Sequence, residues 1–490
     1  MVMLRSLVTF AMKQILEVIY LNVVLLVLYF FLVISAFLAV MLDNRQPIKT
    51  IAWILFLFLV PVVGLLFYYF FGQNIRRERR FNKKSFGELT HKPLVQFVRQ
   101  STIDYPEKYV SLIRFFKMNS IALPFSGNAA DFYTEGRDFV DSLVKDISQA
   151  RHHVHLEFYI IEDDGVGRRI TEALAEAVER GVQVRFLYDD VGCCTVKKRF
   201  FRHMENQGIQ VAAFGPVHFR RLSHRVNYRN HRKLTVIDGC IGYIGGMNLA
   251  DRYVYGERGG NWRDLHMRIT GAAVYGIQQL FIADWYHAAE EMISSAEFFP
   301  ETIPMAQPGA LVQIVSTAPF GKWPTIMMGF DRVIQNARKY IFIQTPYFMP
   351  TETVLESLQT AALSGVKVQI MVPLKPGGFW MTWANESYYG DVLKAGAEVF
   401  AYKPGMLHAK AMIVDDDFCS VGSANLDFRS LGQTFEDSAF IYDTEMTQRV
   451  KQLFIDARQD CMKIDLDMWN GRNLRRRILE SFVRIFSPLF

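Results

Sequence analysis

Cysteine is scarce: five occur in 490 residues (Cys193, Cys194, Cys240, Cys419 and Cys461), with no C-x-x-C pair and no spaced Cys/His cluster. An odd, unpatterned set excludes a complete disulfide framework and fits reduced thiols in a cytosolic domain. A strong excess of one charge is missing too. The net charge of +6 is weaker than a nucleic-acid binder of this length usually carries, so its location matters more than its size. Charge is wholly absent from residues 20–42 and again from 51–72.

Each uncharged run is long enough to cross a hydrocarbon core of roughly 30 Å as a helix, which predicts a two-helix transmembrane hairpin. The connector 43–50 is short and holds Pro47, and Pro61 and Gly64 in the second run are tolerable in lipid. Arg76, Arg77, Arg79, Arg80, Lys83 and Lys84 follow the second run at once, against Arg45 and Lys49 in the connector. The positive-inside rule then puts the bulk of the chain in the cytoplasm. A cleaved signal peptide is the poorer reading, because the first run exceeds an h-region of roughly 7–15 residues and a second run follows it. Residues 1–75 are thus expected to form the anchor and 76–120 a basic juxtamembrane linker.

Beyond about residue 105 an alternating α/β pattern occurs twice. Helices are expected over 139–150 and 168–180 with strands over 153–161 and 182–188. The second half repeats the order with helices over 326–337 and 353–364 and strands over 340–347 and 366–372. Local matches support duplication: Ala150-Arg151 answers Ala337-Arg338, and Gly181-Val182 answers Gly365-Val366. The fold class is therefore α/β, as two homologous α/β/α domains over 121–310 and 311–468 packed as a pseudo-dimer. Residues 469–490 close the chain, with Leu474, Ile478, Phe482, Ile485, Phe486 and Leu489 at helical spacing among Arg475, Arg476, Arg477 and Arg484. That pattern predicts a basic amphipathic helix suited to anionic headgroups, with an ordinary docked helix as the alternative.

The chemistry is concentrated in two segments, His231-x-Lys233-(x)4-Asp238 and His408-x-Lys410-(x)4-Asp415. Each is followed by a small-residue turn and an asparagine, Gly245-Gly246-Met247-Asn248 and Gly422-Ser423-Ala424-Asn425. In a strand, residues two apart share a face, so each histidine projects beside its lysine, and Asn248 or Asn425 can approach from a neighbouring strand. A phosphodiester needs a neutral imidazole to attack phosphorus, an imidazolium to protonate the leaving alkoxide, and fixed donors for the charged oxygens. The motif marks His231, Lys233, Asp238, His408, Lys410 and Asp415 as the catalytic set. Parity nevertheless places the two aspartates on the other strand face or past its end, which favours a structural role for them.

These paired motifs resemble those of the phospholipase D superfamily over about residues 120–465. Within it the chain is similar to bacterial cardiolipin synthases, on the uncharged runs, the stretch Thr50-Ile51-Ala52-Trp53-Ile54-Leu55, the exit Phe71-Gly72-Gln73-Asn74-Ile75-Arg76-Arg77, and Asn230-His231-Arg232-Lys233. The resemblance implies two phospholipase D-like domains with the active site at their interface. It implies His231 as covalent nucleophile and His408 as general acid and later base, although the two could be exchanged. Lys233, Lys410, Asn248 and Asn425 would bind phosphate oxygens, with Ser423 beside them where the first half has Gly246. Orienting carboxylates are implied at Asp264 and Glu436, crossed so that Glu436 serves His231 and Asp264 serves His408. Thr434 departs from the asparagine of many relatives.

The implied reaction transfers a phosphatidyl group from one phosphatidylglycerol to another, giving cardiolipin and glycerol. Hydrolysis to phosphatidic acid, or transfer to another lipid or alcohol, is the alternative, because the motif fixes the bond broken and not the acceptor. No cofactor or metal is expected, since the lysines supply the positive charge. The expected partners are phosphatidylglycerol and anionic membrane lipids, not nucleic acid, at a multi-pass site in the bacterial cytoplasmic membrane with the catalytic domains inside. Homo-oligomerisation is left open. Phe348, Phe379, Trp380, Trp383 and Tyr388 are candidates to line an acyl entrance.

Overall fold

The computed structural model describes residues 2–42, 47–68, 104–119, 122–217, 227–257, 260–293, 296–300, 303–319 and 321–489. The basic residues 76–84, expected to set topology, lie outside these. Two compact units emerge, whose described parts are residues 2–68 and the remainder from 104 onward.

The N-terminal unit opens with the helix Val2–Leu42, in which Met12–Leu42 is long and apolar enough to cross a membrane. The second run, expected to form a helix, is described as far as residue 68 and is helical with one break. A helix Pro47–Leu59 ends at Val60, which leaves the helical region at φ −135° and ψ 70°, and a short helix Pro61–Phe67 follows. The cause is local: Pro61 has no N–H to donate and its ring pushes the preceding residue out of the α region. The short helix folds back, with Trp53 against Tyr68 at 5.4 Å and Phe56 against Phe67 at 5.7 Å between ring centroids. Gly64 permits this approach, because a Cβ there would meet the Phe56 carbonyl oxygen at 3.0 Å. Ala36, Val40, Leu57 and Tyr68 form the buried seam of the unit.

The larger unit is a layered α/β structure built twice. Its first half carries β1 (Pro124–Tyr133), β2 (His153–Phe158), β3 (Gln183–Asp189), β4 (Gln210–Phe214), β5 (Lys233–Ile237), β6 (Ile241–Gly245), β7 (Asn261–Arg263) and β8 (His266–Thr270). The second half carries β9 (Ala310–Thr317), β10 (Tyr340–Gln344), β11 (Phe348–Met349), β12 (Lys367–Pro373), β13 (Glu398–Tyr402), β14 (Gly405–Leu407), β15 (Ala411–Val414), β16 (Phe418–Gly422), β17 (Leu426–Asp427), β18 (Glu436–Tyr442) and β19 (Cys461–Ile464). Fifteen of these form one continuous sheet, ordered β19-β13-β12-β10-β15-β16-β18-β9-β1-β8-β6-β5-β2-β3-β4. Outward from the antiparallel β1/β9 pair, β8-β6-β5-β2-β3-β4 on one side mirrors β18-β16-β15-β10-β12-β13 on the other.

In each half the parallel strands are joined by a crossover helix, Gly165–Glu179 between β2 and β3 and Glu352–Leu363 between β10 and β12. Both helices stop in the same way. Gly181 and Gly365 adopt φ +87° and +89°, and the next residue's N–H reaches back across the last turn, Val182 to the Ala177 carbonyl and Val366 to the Ala361 carbonyl, both at 3.0 Å. Such left-handed closure favours glycine, which explains why the Gly-Val pairs recur in both halves. Alternating apolar residues such as Val154, Leu156, Leu234, Val236, Ile341, Ile343 and Ile413 are fully buried between the sheet and its helices.

Candidate active site

Backbone contacts between the halves set the site. His231 lies just before β5 and Lys233 opens that strand, while His408 and Lys410 lie just before β15. β14 pairs in parallel with β7 of the other half, and the ladder runs on as the His408 N–H donates to the Arg263 carbonyl at 2.6 Å. On the opposite side, Asn230 bridges Phe435, the His231 N–H donates to the Phe435 carbonyl at 2.9 Å, and the Phe435 N–H donates to the Arg229 carbonyl at 2.9 Å. Each histidine is thereby clamped beside the residue that precedes the other half's carboxylate, Arg263 before Asp264 and Phe435 before Glu436.

The carboxylates consequently reach across the interface. Nδ1 of His231 lies 3.1 Å from both carboxylate oxygens of Glu436, and Nδ1 of His408 lies 2.6 Å from Oδ2 of Asp264. Glu436 also accepts from the hydroxyls of Ser423 and Thr434, the latter at 2.8 Å. Asp264 accepts from the Leu265 N–H at 2.7 Å. A carboxylate at Nδ1 fixes the tautomer with the proton on Nδ1 and leaves Nε2 as the free base. The ammonium of Lys410 also lies 2.7 Å from Nδ1 of His408. One nitrogen cannot donate to Asp264 and accept from Lys410 together. The carboxylate contact prevails, because an unpaired buried charge is the costlier alternative and Lys410 already donates to the His408 carbonyl. Lys233 likewise donates to the His231 carbonyl and lies 5.2 Å from the Tyr159 ring centroid.

Burial and the crowding of two lysines decide the protonation states. Burial lowers the His231 pKa, and Lys233 and Lys410 add to this against the attraction of Glu436. Burial and then Lys410 press His408 down to about 3 despite Asp264. Both imidazoles are neutral at pH 7. Burial brings Lys233 to about 7 and Lys410 to about 8, with Glu436 and Asp264 respectively the leading opposition. Burial alone would raise the Glu436 and Asp264 carboxyls, but His231 and Lys233 hold the first below its usual range, and Lys410 and His408 hold the second. The result is a buried, cation-rich site whose lysines hold their protons less firmly than exposed lysines do.

The asymmetry between Gly246 and Ser423 has a steric cause. A Cβ on Gly246 would fall 2.1 Å from Oδ1 of Asp264, so the space that Ser423 fills in the second half is occupied by the carboxylate in the first. Thr434, an apparent departure in the sequence, shares Glu436 with His231 and Ser423. Asn248 accepts from the Ile160 N–H at 3.1 Å and donates to the Tyr253 hydroxyl. Oδ1 of Asn425 is buried with no hydrogen-bond partner among the described residues.

Asp238 and Asp415 do not join the histidines, and contrary to the motif's marking they stand outside the catalytic set. Both stand in the left-handed region, at φ 52° and 53°, past the far ends of β5 and β15. Asp238 accepts from the backbone amides of Arg151, His152 and His153 at 2.9, 2.8 and 3.0 Å. Asp415 accepts from those of Arg338, Lys339 and Tyr340 and pairs with Lys108 at 2.6 Å. They fasten the starts of β2 and β10 to the motif strands.

A buried network behind His231 was not visible in the sequence. The Arg232 guanidinium contacts Asp284 and donates to the carbonyls of Thr317 and Glu436, at 3.2 and 3.3 Å. Asn230 donates to Glu157, and burial and then Asp284 raise the Glu157 pKa well above the carboxylate range. These groups hold the flanks of His231 while its ring meets Tyr159 at 4.8 Å between centroids. Trp262 meets the His408 ring at 5.4 Å. Of the residues expected at an acyl entrance, Phe348 and Tyr388 belong to the core, whereas Phe379 and Trp380 are exposed.

The chain is similar to known proteins along most of its length. Residues 143–285 and 330–458 match a family described as cardiolipin synthase, PLD-like domain, and residues 27–73 match one described as phospholipase D-nuclease N-terminal. The chain is 39% identical over 482 residues to the major cardiolipin synthase ClsA of Bacillus subtilis (strain 168), covering 95% of this chain and 99% of that one. It is 35% identical over 481 residues to a cardiolipin synthase of Listeria monocytogenes, covering 96% and 99%. A crystal structure of phosphatidylserine synthase from Haemophilus influenzae shares the fold at TM-score 0.58 and 14% identity, covering 77% of this chain and 97% of that one.

Proposed function

The chain belongs to the cardiolipin synthase family of phospholipase D-like phosphatidyltransferases, and we propose that it joins two phosphatidylglycerol molecules by two displacements at His231. The observation that carries this reading is the crossed pairing of His231 with Glu436 and His408 with Asp264. It holds each imidazole by Nδ1 and leaves its Nε2 free for chemistry, with Lys233 and Lys410 close by. The phosphodiester of the donor lipid binds between Lys233 and Lys410, and its negative charge raises the pKa values of both lysines and of His408, so that Nε2 of His408 takes up a proton from solvent before the chemical step. Nε2 of His231 attacks phosphorus. The phosphorus–oxygen bond to the headgroup glycerol breaks, the departing oxygen takes a proton from His408, and glycerol leaves. A terminal hydroxyl of the second phosphatidylglycerol then gives its proton to His408 and attacks phosphorus, breaking the bond to His231 and releasing cardiolipin. The lysines and the Asn248 and Asn425 amides stabilise the oxygens that gather charge in both steps.

His231 is the more accessible of the two rings, with 17% of its side chain exposed against 9% for His408, which suits it as the atom that meets phosphorus. The helix Val2–Leu42 anchors the chain in the membrane, the second apolar run adds a further membrane contact, and the catalytic unit works on the cytoplasmic face. The test is to incubate the purified protein with phosphatidylglycerol alone in mixed micelles, without divalent metal, beside a His231→Ala control. Cardiolipin and free glycerol, absent from the control, are expected. Phosphatidic acid in their place would identify a hydrolase and refute the acceptor assignment.

A further inference from the structure

The helix Leu474–Arg484 is docked by its charged side. Glu480 and Val483 are buried, Arg476 pairs with Glu386 and Glu480, Arg472 pairs with Glu480, and Arg484 pairs with Asp391 at 2.7 Å. The Arg484 guanidinium also stacks 4.1 Å from the Tyr388 ring centroid. Glu386, Tyr388 and Asp391 all lie on the helix Phe379–Lys394. The outward side is apolar: Leu474, Ile478, Phe482 and Ile485 are 68, 58, 51 and 71% exposed. At about 100° per residue these four fall within roughly 80° of arc, centred about 170° from Glu480 and Val483. Arg475 and Arg477 are exposed and flank this ridge on either side, and neither forms an ion pair among the described residues.

Burying charge against protein while turning the apolar ridge outward opposes the hydrophobic effect if water lies on that side, and follows it if hydrocarbon does. The ridge also leads to the site. It runs into the turn Ser487–Leu489, where the Pro488 carbonyl accepts from Gln433 at 3.3 Å, beside Thr434 and Glu436. Phe379 and Trp380, 57 and 47% exposed, follow the loop after β12, on the edge where β10, β12 and β13 end and the chain turns towards His408.

We infer that the outward ridge of the helix Leu474–Arg484, with Phe379 and Trp380, is a docking surface for an anionic lipid bilayer. It holds the active-site edge against the interface from which substrate lipids are taken. The ridge enters the acyl boundary while Arg475 and Arg477 meet phosphate headgroups, the arrangement of an interfacial amphipathic helix. A second copy of the chain fits this surface poorly, because two such ridges face to face would bring arginines of like charge together. The inference rests on the reading of the site as one that acts on phospholipids, and adds the surface that loads it.

The test uses the full chain reconstituted in phosphatidylcholine vesicles with and without phosphatidylglycerol. In a Cys194→Ser background, an environment-sensitive fluorophore is placed on Ile478→Cys or on Leu363→Cys, the latter 74% exposed at the opposite end of its crossover helix from the site. Blue-shifted emission and quenching by lipid-borne quenchers are expected at position 478 in phosphatidylglycerol vesicles and not at 363. The double substitution Ile478→Glu with Phe482→Glu is expected to lower turnover of vesicle phosphatidylglycerol by about tenfold or more, while turnover of monomeric short-chain phosphatidylglycerol stays within about twofold. Absence of quenching at 478, an equal loss on both substrates, or a lower particle mass for the double variant in detergent would each overturn the proposal. Inactivity of the unsubstituted protein on both substrates would instead refute the proposed reaction, and the quenching pattern would still decide the docking surface.

Discussion

Replacing Glu436 by Gln removes one negative charge while keeping the side chain's length and shape. The carboxylate lies 3.1 Å from Nδ1 of His231 and also accepts from Ser423 and Thr434, so the amide must turn its oxygen to one partner and its NH2 to another. A hydrogen bond to a charged group contributes about 1.5–3 kcal/mol. Lost wholly in the transition state, that is about 10- to 160-fold in rate. The pH profile should move as well. Glu436 is the leading support for the ammonium of Lys233, which burial has already brought to about 7. Without that charge the pKa falls further, fewer molecules carry the ammonium at neutral pH, and the alkaline limb of kcat/KM moves to lower pH. His231 loses the support for its imidazolium at the same time, so the acid limb moves in the same direction. Initial rates of glycerol release across the pH range, with thermal unfolding as the folding control, test both parts. Turnover within about twofold of the parent with an unmoved profile would refute the role of Glu436.

Other substitutions separate chemistry from scaffold. Gly246→Ala places a Cβ 2.1 Å from Oδ1 of Asp264, so it should push the carboxylate off His408, cutting turnover by tenfold or more at an overpacking cost of about 1–3 kcal/mol; parental turnover would contradict this. Asp238→Asn keeps a residue tolerant of φ 52° but removes the charge that three backbone amides share. It should lower stability by about 1–3 kcal/mol with turnover per folded molecule unchanged, as thermal unfolding and single-turnover amplitudes would show. Arg232→Met strands the buried Asp284 and Glu157 and should cost about 3–5 kcal/mol, read as a lower unfolding midpoint.

Much of the site was legible because the strand repeat is short and the motif occurs twice. The repeat of His231 and Lys233 at His408 and Lys410 made coincidence improbable, although both histidines stand just before their strands and not within them as the spacing suggested. The partners of those histidines were not legible from spacing, since Glu436 is 205 residues from His231; family resemblance supplied them. The third motif position was harder to read. Seven residues of extended chain carry Asp238 about 20 Å beyond His231, to the other end of the strand, where the backbone needs it. Gly246 looked like a missing hydroxyl and instead makes room for Asp264. The break at Val60 was written in Pro61, yet the folding back of the next helix depends on Gly64 meeting the Phe56 carbonyl, a contact no periodicity reveals. For the terminal helix the pattern gave amphipathicity, but which side docks depended on Glu386 and Asp391, some ninety residues upstream.

In the proposed reaction a phosphatidyl group passes through His231. The most direct measurement is rapid alkaline quenching of the protein with phosphatidylglycerol, followed by proteolysis and mass spectrometry of the peptides that hold His231 and His408. A phosphatidyl adduct is expected on the His231 peptide, appearing with the first glycerol released and disappearing as cardiolipin forms. An adduct on the His408 peptide, or full turnover with no adduct on either, would contradict it.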